Sequence, residues 1–295
     1  MLDRGVAILR TGGAVPPLLW LALAGCASLP EAAPPPAATA AAAPAPERCR
    51  EGPGPIEILA ADVVIAIDRS TSTRNPTGLD LDGDGVVGAF RHSEYTDRGD
   101  SLLAAELAAV ERLVHVAQLG GMRFAIVSYS GRNDFPLEDS VTQHVDRTDA
   151  RLEAELTDDP VALEAAVARV GRRGSDGTSS FAPAMRLAVR SLDSAGDGAA
   201  RRRRVLFLAD TPTPVRYAPM RRIAYDDPRM QIEAQRAIES GIAFHSFGLG
   251  EAAGEHELHS LAQIAGATGG TYRAVPDPRN LYCQMLAALG ASDPR

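Results

Sequence analysis

The stretch Ile58-Leu59-Ala60-Ala61-Asp62-Val63-Val64-Ile65-Ala66-Ile67-Asp68-Arg69-Ser70-Thr71-Ser72 decides the fold. Its first ten residues are almost continuously apolar and rich in Val and Ile, the composition of a strand buried on both faces of a parallel sheet. The run stops at Asp68, and hydroxyl side chains follow at once in the pattern Asp-x-Ser-x-Ser. In open α/β sheets, ligands bind beyond the carboxyl ends of the strands. A carboxylate and two hydroxyls therefore stand where such a fold puts its chemistry.

Downstream, strands and helices alternate. Ser101 to Leu119 carries Leu103, Leu107, Val110, Leu113, Val114 and Ala117 at helical spacing and stops at Gly120-Gly121. Phe124 to Val127 reads as a strand, and Ser140 to Val145 as a more polar edge strand. Helices are expected over Pro160–Val170 and Phe181–Leu192, then a strand from Arg204 that ends in Asp210. Pro228–Ser240 (helix), Ile242–Phe247 (strand), Glu255–Ala265 (helix), Thr271–Val275 (strand) and Asn280–Leu289 (helix) complete the series. This order predicts an α/β fold, a doubly wound and mainly parallel sheet with helices on both faces.

Upstream, residues 1–25 read as an export signal, with Arg4 and Arg10 before a short apolar stretch interrupted by Pro16-Pro17. That stretch is too short to span a hydrocarbon core of about 30 Å. It ends in Leu23-Ala24-Gly25-Cys26, which resembles the lipobox of bacterial lipoproteins and implies a lipidated Cys26. Residues 26–56, nearly all Ala and Pro from Leu29 to Glu47, cannot bury a core and read as a semi-extended tether. Such a tether reaches roughly 90 Å at about 3.1 Å per residue. One domain, 57–291, follows, with an insertion at about 73–99.

With Gly174-Ser175-Asp176-Gly177-Thr178 before a helix and Asp210 at a strand end, the chain resembles the von Willebrand factor A domain and its metal-ion-dependent adhesion site. The resemblance assigns Asp68, Ser70, Ser72, Thr178 and Asp210 to the metal. It implies that the hydroxyls bind the ion nearly directly and the two Asp largely through water. An open position then remains for a carboxylate from the partner. Hard oxygen donors suit Mg²⁺ first, with Ca²⁺ or Mn²⁺ also accommodated. The sequence departs from the family at Ala209-Asp210-Thr211, which keeps the carboxylate and loses the Gly that usually follows it. Helix caps and strand-ending Asp without metal form the alternative reading of these residues.

A candidate second cation site lies in the insertion. Asp80, Asp82 and Asp84 occupy positions 1, 3 and 5 of an EF-hand-like loop with Gly85 at 6, but position 12 is Arg91. Glu94, Asp97 or Asp100 would have to complete the cage, and a tight acidic turn is the competing reading. Arg201 to Arg204 read as a solvated positive cluster. Cys49 lies just before the first strand and Cys283 within the final helix. Several extracellular A domains have a Cys near each end, which implies a disulfide; a free Cys283 and a loose Cys49 are the alternative.

Thirty basic residues, all Arg, against 38 acidic ones give a formal charge of −8, which argues against a nucleic-acid-binding protein. Three Cys are too few for a disulfide scaffold, and no P-loop or Gly-x-Ser-x-Gly occurs. The expectation is a non-enzymatic binding or adhesion module, lipid-anchored in the bacterial cell envelope at the outer membrane, that engages through a divalent cation a protein partner presenting an acidic residue. The alternatives are a metal-dependent hydrolase using the same ion, or a scaffold with an inert site.

Overall fold

Every residue of the first strand, Ala61–Asp68, is buried, as an unbroken apolar run demands when both faces of a sheet are covered. The computed structural model describes residues 60–91, 94–95, 97–117, 121–131, 150–177, 179–195, 201–210, 228–250 and 259–290. The expected signal peptide and tether, with Cys26 and Cys49, lie outside them, as do Thr178 and the stretch Ser140–Val145. In chain order the elements are β1 (Ala61–Asp68), a 3-10 turn (Thr71–Arg74), β2 (Phe90–Arg91), β3 (Glu94–Tyr95), α1 (Leu102–Ala117) and β4 (Arg123–Tyr129). There follow β5 (Ala150–Thr157), α2 (Pro160–Arg173), α3 (Phe181–Asp193), β6 (Arg202–Asp210) and α4 (Pro228–Glu239). The series closes with β7 (Ile242–Leu249), α5 (His259–Ala267), β8 (Tyr272–Val275) and α6 (Leu281–Gly290).

The main sheet has the order β5-β4-β1-β6-β7-β8, and only β5 runs antiparallel. Side chains of β1 alternate between its two faces. Val63, Ile65 and Ile67 join a core with α1, α2 and α6, while Val64 and Ala66 join one with α3, α4 and α5. The chain moves from β1 outward to β4 and β5, then returns to the other side of β1 with β6. That reversal is the switch point, where neighbouring connections diverge and leave a crevice at the strand ends. Asp68 and Asp210 end the two strands that flank it.

One strand was not anticipated and one expectation needs correction. Ala150–Thr157 pairs with β4 at the sheet edge although its Ala, Leu and Glu have helical propensity, which the pairing overrides. The Arg201–Arg204 cluster is only partly solvated, because β6 begins at Arg202 and draws the segment into the sheet: Arg201, Arg202 and Arg203 are half-buried and Arg204 is buried. Arg204, 1% exposed, donates from Nη1 to the carbonyl of Ala288 on α6. Arg201 pairs with Asp62 (2.7 Å) and Arg203 with Asp193 (3.5 Å). Cys283 packs against the core from α6 and is disulfide-bonded. No helix among the described residues is long and apolar enough to cross a membrane.

Candidate metal centre

The loop after β1 is built by its own hydroxyls. Ser70 N–H donates to Asp68 Oδ1 (2.7 Å), which turns the chain back over the strand end. Thr73 Oγ1 donates to the Ser70 carbonyl (2.8 Å) and closes the 3-10 turn. The two serines then face Asp210 across the switch point: their Oγ atoms are 2.9 Å apart, and Ser72 Oγ donates to Asp210 Oδ1 (2.9 Å). Ser70 Oγ lies 3.5 Å from the same oxygen. Four of the five expected ligands thus converge.

The fifth, Thr178, lies outside the described residues, but both its neighbours are held at the site. Thr71 N–H donates to the Gly177 carbonyl (2.7 Å), and Asp176 N–H to the Arg69 carbonyl (2.6 Å). Ser179 Oγ donates to Asp68 Oδ2 (3.3 Å). Gly177 has φ +81°, and a Cβ there would lie 1.6 Å from the Gly131 carbonyl oxygen, so only Gly fits.

Asp68, Ser70 and Asp210 are at most 2% exposed. Among the described residues no Arg or His donates a hydrogen bond to either carboxylate or forms an ion pair with it. Burial, and then the charge of Asp210, pushes the Asp68 carboxyl well above its ordinary value. Asp210, raised mainly by burial, is pushed up to about 6. Its Oδ2 is buried and accepts no side-chain hydrogen bond. Buried carboxylates are normally paired or ligate metal, because an unpaired charge is expensive to desolvate. This donor set therefore fits a hard divalent cation, with Asp68, Ser70, Ser72 and Asp210 as the residues that would hold it.

Sequence reasoning missed one residue. Glu106 on α1 is fully buried, and no side chain donates to either of its carboxylate oxygens. Burial pushes its carboxyl well up and the charges of Asp68 and Asp210 push it further, against a smaller lowering by the Asp68 backbone N–H. A signal was available: Glu106 stands four residues after Leu102 and four before Val110, within the apolar stripe of the helix.

In the insertion, carboxylate oxygens of Asp80, Asp82 and Asp100 lie within 4.8 Å of one another, as do those of Asp82, Asp84 and Asp97. Asp97 and Asp100 thus lie beside the loop. Several of these oxygens already accept backbone N–H groups, including Asp80 from Gly83 (2.7 Å) and Asp100 from Leu81 (2.6 Å) and Gly88 (2.7 Å). Acidic turn and oxygen cage coexist in one segment, and the side chains of Arg91 and Glu94 lie outside the description.

No family model and no curated protein matches the chain. Solved structures do. An aerotolerance-related membrane protein from Bacteroides fragilis is 13% identical with a TM-score of 0.52, over 78% of this chain and 98% of that one. The pilus adhesin SpaC from Lactobacillus rhamnosus GG is 12% identical with a TM-score of 0.50, over 79% of this chain and 30% of its own. A von Willebrand factor type A protein from Catenulispora acidiphila is 20% identical with a TM-score of 0.48, over 79% of this chain and 43% of its own. The chain spans less than half the length of the last two. At these identities the likeness concerns the fold alone, an open and mainly parallel sheet with helices on both faces.

Proposed function

We propose that the chain is a non-enzymatic binding module of the bacterial cell envelope that engages a protein partner through a divalent cation, Mg²⁺ first among Mg²⁺, Ca²⁺ and Mn²⁺. Asp68, Ser70, Ser72, Thr178 and Asp210 hold the ion. The observation that carries this reading is the buried Asp210 Oδ2 without a side-chain donor, beside two serine hydroxyls and Asp68 at the switch point. Hydroxyl donors leave much of the ion's charge uncompensated, so the open position favours a carboxylate offered by the partner. The membrane protein and the pilus adhesin among the structural neighbours are consistent with an envelope protein that binds other proteins.

Hydrolysis with the same ion is the weaker reading. A hydrolase needs a general base within reach of an attacking water. The acidic neighbour nearest in kind, Glu106, is sealed beneath α1 rather than open to a substrate. Lipidation at Cys26 would hold the domain at the outer membrane. A thioether-linked Cys26 cannot form a disulfide, which leaves Cys49 to bridge to Cys283.

Calorimetry of the purified chain with Mg²⁺, Ca²⁺ and Mn²⁺ tests the cation, and an affinity screen with and without chelator tests the partner. Asp68→Ala is expected to abolish cation binding while the melting transition persists. Unchanged cation affinity in that variant would rule the assignment out.

A further inference from the structure

Glu106 is the buried charge in this fold that the five expected ligands leave unexplained. It sits on the second turn of α1, on the side of the sheet where Leu206 and Leu208 of β6 pack. Asp210 continues the alternation of those two residues along β6, so its carboxylate belongs to the same face. Two carboxylates that side chains leave unsatisfied, the pair of Glu106 oxygens and Asp210 Oδ2, therefore stand on one side of the sheet's end. The Asp68 backbone N–H bears on Glu106, but a buried carboxylate with no side-chain donor is costly in a folded protein and calls for a ligand.

The spacing limits what that ligand can be. Among the described residues, oxygens of Glu106, Asp68 and Asp210 do not form a set in which all three lie within 4.8 Å of one another, whereas those of the insertion's two acidic groups do. The three carboxylates thus do not make one tight clamp on a single ion. A carboxylate one water removed from a cation still orients that cation's water ligands, and outer partners of this kind commonly change metal affinity by about 10- to 100-fold.

We propose that Glu106 is a positioning residue of the cation site, a third carboxylate that holds water ligands of the ion from within the core, on the side away from the partner. The inference rests on the cation reading above and adds to it a residue outside the Asp-x-Ser-x-Ser pattern. It also explains why a charged side chain is kept within the apolar stripe of α1.

Calorimetric titration of the full chain with MnCl₂ and MgCl₂ tests it, with Glu106→Gln beside the wild type and melting in EDTA as the check on folding. The variant is expected to melt in EDTA at or above the wild-type temperature and to bind the cation about 10- to 100-fold more weakly. A purely structural Glu106 would leave the affinity within about threefold and lower the EDTA melting temperature, and that result overturns the proposal. A wild type that binds neither ion defeats the cation reading itself, a different outcome from equal binding by both chains. Crystals of the unmutated chain soaked in MnCl₂ give a test independent of whether the variant folds. Anomalous scattering should place Mn²⁺ at the serines with a metal-bound water hydrogen-bonded to Glu106. No such water, or an ion elsewhere, refutes the assignment.

Discussion

At the scale of single residues, this chain handles buried charge in two ways. Asp62 is 2% exposed and is met by Arg123 through Nε and Nη2 (2.9 and 2.8 Å) and by Arg201 through Nε (2.7 Å). Burial alone would raise its carboxyl, but the hydrogen bonds and charges of the two Arg outweigh that and hold it below its ordinary value. Asp68, Asp210 and Glu106 have no such partners and are all pushed up. Asp62→Asn should therefore destabilise the domain by about 2 kcal/mol, less than the roughly 3–5 kcal/mol of a fully buried pair because both Arg are about a quarter exposed. The sign with pH follows from the depressed value. Asp62 stabilises the fold fully above the ordinary carboxyl range near pH 4 and loses that contribution as the pH falls through its lower folded value. Urea midpoints of wild type and variant should differ at pH 7 and converge in acid.

At the scale of elements, loop conformation carries more of the site than the strands do. Gly177→Ala must move the loop, since the new Cβ would overlap the Gly131 carbonyl and φ is positive. The expected loss is about 2 kcal/mol or more, measured by thermal melting, with cation affinity falling as the Thr71–Gly177 hydrogen bond is pulled out of place. Much of this architecture was legible in the sequence. The apolar run at Val63–Ile67 with its terminal Asp, the stripe of α1 and the Val205–Ala209 strand each carry a period or a continuity that solvent exclusion imposes. What escaped did so because tertiary context overrode a local signal. Ala150–Thr157 is written in helix formers yet pairs as an edge strand, and Arg204 is a cation whose strand position turns it inward to the Ala288 carbonyl. Glu106 escaped for a related reason: its chemistry depends on strand ends 38 and 104 residues away in the chain.

At the scale of the whole molecule, the site exists only where distant parts of the chain meet. Envelope display is one consequence to check. Mass spectrometry of the unreduced chain should find an acyl modification on Cys26 and Cys49 linked to Cys283, and Cys26→Ser should shift the protein from the membrane to the soluble fraction. The second consequence concerns time. Ser72 and Asp210, hydrogen-bonded across the switch point, are 138 residues apart, and β1 reaches β6 only after β4 and β5 have been threaded on its other side. Contacts of such long separation close late, because loop entropy opposes them until much of the sheet is in place. The ligands are then scattered in the chain that is still folding, and a cation finds no formed cradle to bind. Its stabilisation should fall on the native state and spare the transition state. Stopped-flow refolding and unfolding with and without Mg²⁺ should show an unchanged refolding rate and a slower unfolding rate. The ion would then serve as a latch that engages after the door has shut, lengthening the life of each folded copy.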